Sequence, residues 1–256
     1  MASLGRRPRP WTQMLFHRAA LRRTLTALLG LLLAPVLPAA VDLQTVLRNM
    51  DATAAKFQGL EAHVAWVKYT AIVDIKDTEQ GTIVARRNKN RSMDLKISFE
   101  TRQTDQGQPQ PYNYFVSVRG TKAQVYRPRI AEVQEYDASK SKDLLDQILL
   151  LGFGTAGRFL EENYDITLQG EETAAGEDTV KLELIPKSEE LSKKIPRLEM
   201  WISKSNWHPV QEKFYEVNSG DYRLHTYTGI VLNPPLKDSQ FQLNLPRNVK
   251  KVNPQK

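Results

Sequence analysis

Residues 81–99 read GTIVARRNKNRSMDLKISF. Ile83, Ala85 and Arg87 recur at every second position, and Met93, Leu95, Ile97 and Phe99 do the same. Polar Asn88, Lys89 and Asn90 lie between the two rows. A period of two puts alternate side chains on one face, which is the pattern of a half-buried β-strand. The pattern spreads in both directions from here. Ala71, Val73 and Ile75 recur at every second position; Val180, Leu182 and Leu184 alternate with polar residues, and Leu198, Met200 and Ile202 alternate with Glu199 and Trp201. Tyr112 to Val118 and Ala123 to Tyr126 flank Arg119-Gly120-Thr121, a hairpin turn. Further strands are expected at 131–136, 164–169, 208–217, 222–231 and 240–245. About ten or eleven short, evenly spaced strands predict a mainly β meander, sandwich or barrel. Alternation rather than continuous apolar runs favours antiparallel pairing.

Two stretches depart from this period. Leu43, Val46, Leu47, Met50, Ala54 and Phe57 recur every three or four residues, predicting an amphipathic helix over 42–57 that Gly59 ends. Asp143 to Leu151 (DLLDQILLL) is too densely apolar for a half-exposed strand and predicts a short helix over 141–151, stopped by Gly152. Such a helix inserted into a β chain must cover something apolar.

The N-terminus reads as an address. Arg6, Arg7, Arg9, Arg18, Arg22 and Arg23 precede an apolar run from Leu25 to Leu37, then Pro38-Ala39-Ala40. That order predicts a signal peptide over 1–40, cleaved near Ala40, and one domain over 41–256. The run is shorter than the ~20 residues a spanning helix needs. The whole chain carries 36 Lys and Arg against 29 Asp and Glu. Six of the Arg fall in 1–40, leaving 30 basic and 29 acidic residues beyond it, a net of +1. The basic character therefore belongs to the leader and gives no reason to expect a nucleic-acid partner. Cysteine is absent, so neither disulfides nor a lipid-modified Cys is available. The expectation is a soluble periplasmic monomer.

No reaction is visible in the motifs. His63, His208 and His225 lack metal-ligand spacing, and no nucleophile elbow, P-loop or dinucleotide fingerprint occurs. Neither a cofactor nor a metal site is expected, and the chain does not read as an enzyme. Glu161-Glu162, Glu171-Glu172 and Glu189-Glu190 would point to opposite faces if they lie on strands, and read as solvated surface. Arg87 has two readings: a turn residue past its strand end, or a cation at the rim of an apolar face.

Three runs together resemble the LolA-like periplasmic carriers that sort lipoproteins to the outer membrane. Gly81-Thr82-Ile83-Val84-Ala85-Arg86-Arg87 is similar to the family's strand ending in a basic pair. Val118 to Pro128 (VRGTKAQVYRP) is similar to its hairpin with Tyr-x-Pro, and Phe241 to Val249 (FQLNLPRNV) to its closing segment. Asn88 stands where the family has Pro, Arg119 where it has Asp, and Asn248 where it has Gly. The N-terminal helix leads into a long strand expected over Leu60–Ile75, and the likeness covers 42–252.

The resemblance implies an unclosed antiparallel β-barrel with helices forming a lid over an apolar cavity. It implies a lid role for the 143–151 helix, and a role for Arg87 in holding that lid by hydrogen bonds. It also implies acylated lipoproteins or lipids as cargo, with an inner-membrane release transporter and an outer-membrane acceptor as partners. Candidate cavity residues are Trp66, Ile83, Met93, Leu95, Ile97, Tyr114, Leu144, Ile148, Leu149, Leu198 and Met200. Alternatives are a lipid-binding envelope sensor or general lipid chaperone of the same fold, and a secreted hydrolase with a scattered site. Sensors of this kind usually add a second domain, for which the chain has no expected room.

Overall fold

A computed structural model describes residues 41–90, 92–137, 153–217 and 219–254. The leader (1–40) and the 141–151 helix, with Leu144, Ile148 and Leu149, lie outside the described residues. Helix α1 spans Leu43–Lys56. Asp42 starts it by accepting the Thr45 N–H (2.8 Å) and the Thr45 hydroxyl (2.8 Å), which hold its carboxyl below the usual range. Val46, Leu47, Met50 and Ala54 form the buried face that the periodicity predicts. Gly59 does not end the helix. The chain turns at Phe57, and Gly59 opens the first strand, where a Cβ would sit 2.6 Å from the Ala85 carbonyl oxygen.

Among the described residues twelve strands follow: β1 Gly59–Thr70, β2 Ile75–Arg87, β3 Met93–Thr104, β4 Gln110–Arg119, β5 Lys122–Arg127, β6 Glu132–Asp137, β7 Tyr164–Ala174, β8 Glu177–Pro186, β9 Leu198–Ser203, β10 Pro209–Tyr215, β11 Tyr222–Leu232 and β12 Lys250–Val252. They form one sheet in the order β12-β6-β5-β4-β3-β2-β1-β11-β10-β9-β8-β7. The order is linear, with β12 and β7 at its two edges, so the barrel is unclosed, as the family resemblance implies. All pairs are antiparallel except β12 on β6. Helix α2 (Gly157–Asn163) packs on α1, where a Cβ at Gly157 would overlap the Leu47 carbonyl oxygen. The charged stretch 187–194 forms a one-turn helix α3 (Glu189–Ser192) whose Leu191 is buried.

Several expectations are corrected. Ala71–Val73 is a 3-10 turn, so the long strand ends at Thr70. The 240–245 strand is absent. Asp238–Phe241 is a 3-10 turn that tucks Phe241 into the interior, its carbonyl bonded by Ser117 Oγ (2.8 Å) and its ring under the Arg86 guanidinium (4.6 Å). All six residues of β9 are buried, so its polar face is not solvated. There Glu199 holds Lys181 (3.3 Å), whose ammonium lies over the Trp201 ring. Of the glutamate pairs only Glu171-Glu172 lies on a strand; Glu161-Glu162 and Glu189-Glu190 lie on helices, and all six residues are exposed.

The interior divides into two main apolar clusters. The first packs α1 and α2 on β8 and β9, through Val46, Leu47, Met50, Leu160, Leu182, Leu184, Leu198 and Met200. The second lines β1 to β5 with Leu60, Val64, Ile83, Ala85, Leu95, Ile97 and Phe99, joined by Phe57, Phe153 and Tyr227.

Candidate functional site

Arg87 is the last residue of β2 and not a turn residue. Its N–H donates to the Gln58 carbonyl (2.8 Å), which holds the strand end against the start of β1. By strand parity its side chain shares a face with buried Ile83 and Ala85. The guanidinium reaches across that face. Nη1 donates to the Ala54 carbonyl in the last turn of α1 (2.9 Å), and Nη2 donates to the Gly154 carbonyl. It also lies 5.4 Å from the centre of the Phe57 ring. One side chain thereby joins the sheet, the C-terminal end of α1 and the segment just after 143–151. A cation at a helix C-terminus meets the negative end of the helix dipole, which strengthens this contact. Gly154 has φ +67°, and a Cβ there would overlap Arg87 Nη2 and fall 2.5 Å from Phe57 Cδ1. The latch therefore requires glycine. A cleft of about 710 Å³ opens beside it, lined by Asp51, Ala54, Phe57, Arg87, Gly154 and Arg158 among others.

The other candidate residues divide. Ile83, Leu95 and Ile97 are buried in the second cluster, and Trp66, Met93 and Tyr114 pack against it partly buried. Leu198 and Met200 lie in the first cluster, beneath α1, and do not join them.

Between the two clusters runs a seam of buried polar groups that sequence reasoning missed. Glu212 on β10 and His225 on β11 are cross-strand partners, and both are buried. Tyr227 donates to Glu212 Oε2 (3.1 Å), while Oε1 has no partner. His225 stacks on Trp66 (4.1 Å between centroids) and touches Phe214 (5.0 Å). His208 lies between Phe153 (6.0 Å) and Phe57 (5.8 Å). Burial pushes His208 down to about 4 and His225 down to about 3, the latter helped by nearby Arg223. It pushes Glu212 well above the carboxylate range, against the Tyr227 hydrogen bond. Both histidines are therefore neutral near pH 7. In sequence Glu212 and His225 are thirteen apart, and pairing of β10 with β11 brings them together. Among the described residues no group of three or more His, Cys, Asp or Glu could hold a metal ion.

A family model described only as an uncharacterized protein matches residues 118–242. A search of curated protein sequences finds no match. Among solved structures, an uncharacterized conserved protein from Thermus thermophilus matches at 12% identity and TM-score 0.50, over 82% of this chain and 98% of that one. MucB of Pseudomonas aeruginosa, solved in complex with MucA, matches at 13% identity and TM-score 0.44, over 79% of this chain; the chain spans 61% of that structure. A LolA superfamily protein from Nitrosomonas europaea matches at 16% identity and TM-score 0.38, over 80% and 99%. At these identities the likeness is one of fold alone.

Proposed function

We propose that this chain is an exported, non-enzymatic carrier that holds the acyl chains of lipoproteins or lipids against its concave face. It takes them from an inner-membrane transporter to an outer-membrane acceptor, with residues 1–40 acting as a cleaved signal peptide. The observation that carries this reading is the Arg87 latch onto the Ala54 and Gly154 carbonyls.

The physical problem of such a carrier is release. Each buried CH₂ is worth about 0.8 kcal/mol, so one fully buried sixteen-carbon chain gains roughly 12 kcal/mol. A protein that buried such chains completely would not let go. The latch supplies the opposing term. Two charge-assisted hydrogen bonds stabilise the closed, empty state, and they must break before the second cluster opens to an acyl chain. Net affinity is the difference between the two states.

The test is Arg87→Leu. The variant is expected to bind acylated cargo as well as the parent or better, and to pass it to an acceptor more slowly. Equal transfer rates for variant and parent would sink the reading. Mass spectrometry of lipids extracted from the protein purified from cells gives a second readout. Stoichiometric acylated ligand supports the carrier, whereas turnover of ester substrates supports a hydrolase.

A further inference from the structure

At one end of the sheet two hairpin tips are tied together. The β1–β2 tip is the 3-10 turn Ala71–Val73, closed by Asp74 at φ 51°. The neighbouring connection joins β10 to β11. Asp221 of that connection accepts the Ala71 N–H (2.7 Å), and Tyr69 pairs with Tyr222 across β1 and β11. Ile72 is 92% exposed, Val73 56% and Val217 40%, so half of the six well-exposed large apolar residues among the described residues crown this double tip. Beneath them sit three tyrosines in mutual contact: Tyr69 on Tyr222 (4.9 Å) and Tyr222 on Tyr215 (6.5 Å). Lys213 lies over the Tyr222 and Tyr215 rings and Lys76 over Tyr69.

The charges at this end are used unequally. Asp74 accepts from the Tyr69 hydroxyl, Asp221 from Ala71 N–H and Asp105 from Lys76 N–H, and Glu216 pairs with Arg223 (3.6 Å). The acids are thus held in turn bonds and ion pairs. Lys68, Lys76 and Lys213 form no ion pair among the described residues. Aliphatic groups outermost, tyrosines below them and unpaired lysines at the same depth repeat the layering of a bilayer interface: hydrocarbon, amphipathic ring, phosphate. A crown of three aliphatic side chains is also too small for a protein interface, which needs about 800 Å² from each partner.

We propose that this double tip docks on a phospholipid bilayer, with Ile72 and Val73 entering the acyl boundary and Lys68, Lys76 and Lys213 meeting lipid phosphates. The proposal stands on this surface alone and does not depend on the cavity binding lipid.

The chain contains no cysteine, so a single one can be placed at will. Exported chain purified from the cell envelope, carrying Ile72→Cys or Lys89→Cys and labelled with an environment-sensitive fluorophore, is mixed with vesicles of phosphatidylethanolamine and phosphatidylglycerol in a 7:3 ratio. Lys89 follows β2 at the opposite strand end and is exposed, and serves as the reference. The label at 72 is expected to shift blue and become shielded from aqueous dithionite, while the label at 89 stays reactive. The unlabelled double variant Ile72→Asp, Val73→Asp is expected to lose about tenfold or more in vesicle partition, the scale of one buried aliphatic side chain. Equal reactivity at 72 and 89 on vesicles overturns the proposal, as does unchanged partition of the double variant. Shielding of position 72 without vesicles overturns it in favour of a contact between copies.

Discussion

The two halves of the sheet are covered in different ways. Over β8 and β9, α1 lies directly on the strands and drives Val46, Leu47 and Met50 into a continuous core with Leu182, Leu184 and Met200. Over β1 to β5 no described helix lies on the strands. Phe57 and Phe153 reach in from the ends of neighbouring segments, and the Arg87 guanidinium holds those segments by their carbonyls. The first cover consists of dispersion contacts and buried area, lost only by unfolding. The second depends on a few directional bonds that can break while the sheet stays intact. One sheet thus combines a half covered by continuous packing with a half whose covering segments are tied by a few directional bonds.

The largest effect should come from the continuously packed half. Met50→Ala is expected to cost about 2–5 kcal/mol of unfolding free energy, the range for emptying a packed core site. Chemical denaturation measures it; a loss below about 1 kcal/mol, outside that range, would mean that α1 is no more firmly seated than the latch. Next is Gly154→Ala, which places a methyl against Arg87 and Phe57 in a left-handed conformation. It is expected to cost about 1–2 kcal/mol. Amide exchange should rise at the start of β1 and the end of β2, and stay unchanged in β8 and β9. Equal acceleration in both halves would break the comparison.

The seam between the halves should set the pH dependence. His208 and His225 have lowered values, so between about 4 and 6.5 for His208, and between about 3 and 6.5 for His225, the unfolded chain binds more protons. Stability from the histidines is full above 6.5 and falls as pH drops below it. Glu212 has the opposite sign: its folded value is raised, so its contribution is full below 4.5 and falls as pH rises. Two histidines outweigh one carboxyl between about 4.5 and 6.5, so stability falls on acidification through that range, less steeply than the histidines alone would make it. Glu212→Gln is expected to steepen that fall. Melting temperature against pH reads it, and an unchanged slope between pH 4.5 and 6.5 would remove Glu212 from the account. The smallest effect belongs to the surface. Lys193 and Lys194 pair with Glu189 and Glu190 at i,i+4 spacing, all well exposed. Replacing both lysines with Ala should change stability by less than about 1 kcal/mol, whichever half is probed.

Much of this was legible in the chain. The α1 face follows from its 3.6 period, β2 and β3 from alternation, and the hairpin at Gly120 from its turn residues. The unclosed antiparallel architecture follows from the same alternation together with the resemblance. What misled was apolar sequence used outside strands. Ala71-Ile72-Val73 has strand composition, yet Asp74 takes a left-handed conformation and closes a turn. Phe241, Leu243 and Leu245 keep strand parity, but Arg86 and Ser117 draw Phe241 inward and no ladder forms. At the site, parity put Arg87 in the row of Ile83 and Ala85 but left a turn residue as the other reading; its partner carbonyls belong to segments 33 and 67 residues away, and a carbonyl carries no side-chain signal. The seam was hidden for a related reason: Glu212 and His225 meet only through strand pairing.

An unclosed sheet leaves hydrogen-bonding edges that a second chain could extend, which is the route to edge-to-edge aggregation. The two edges here differ in how they discourage it. β12 contributes only three residues, which pair with the first half of β6 and are too few to template a further strand. β7 is longer, but its register slips between Leu168 and Gly170, and exposed Glu171 and Glu172 follow. A bulge and adjacent like charges make a poor template for a flat incoming strand. Keeping the barrel open therefore places a solubility constraint on residues far from any ligand, and substitutions that straighten or neutralise β7 should show up as aggregation before they show up as lost binding.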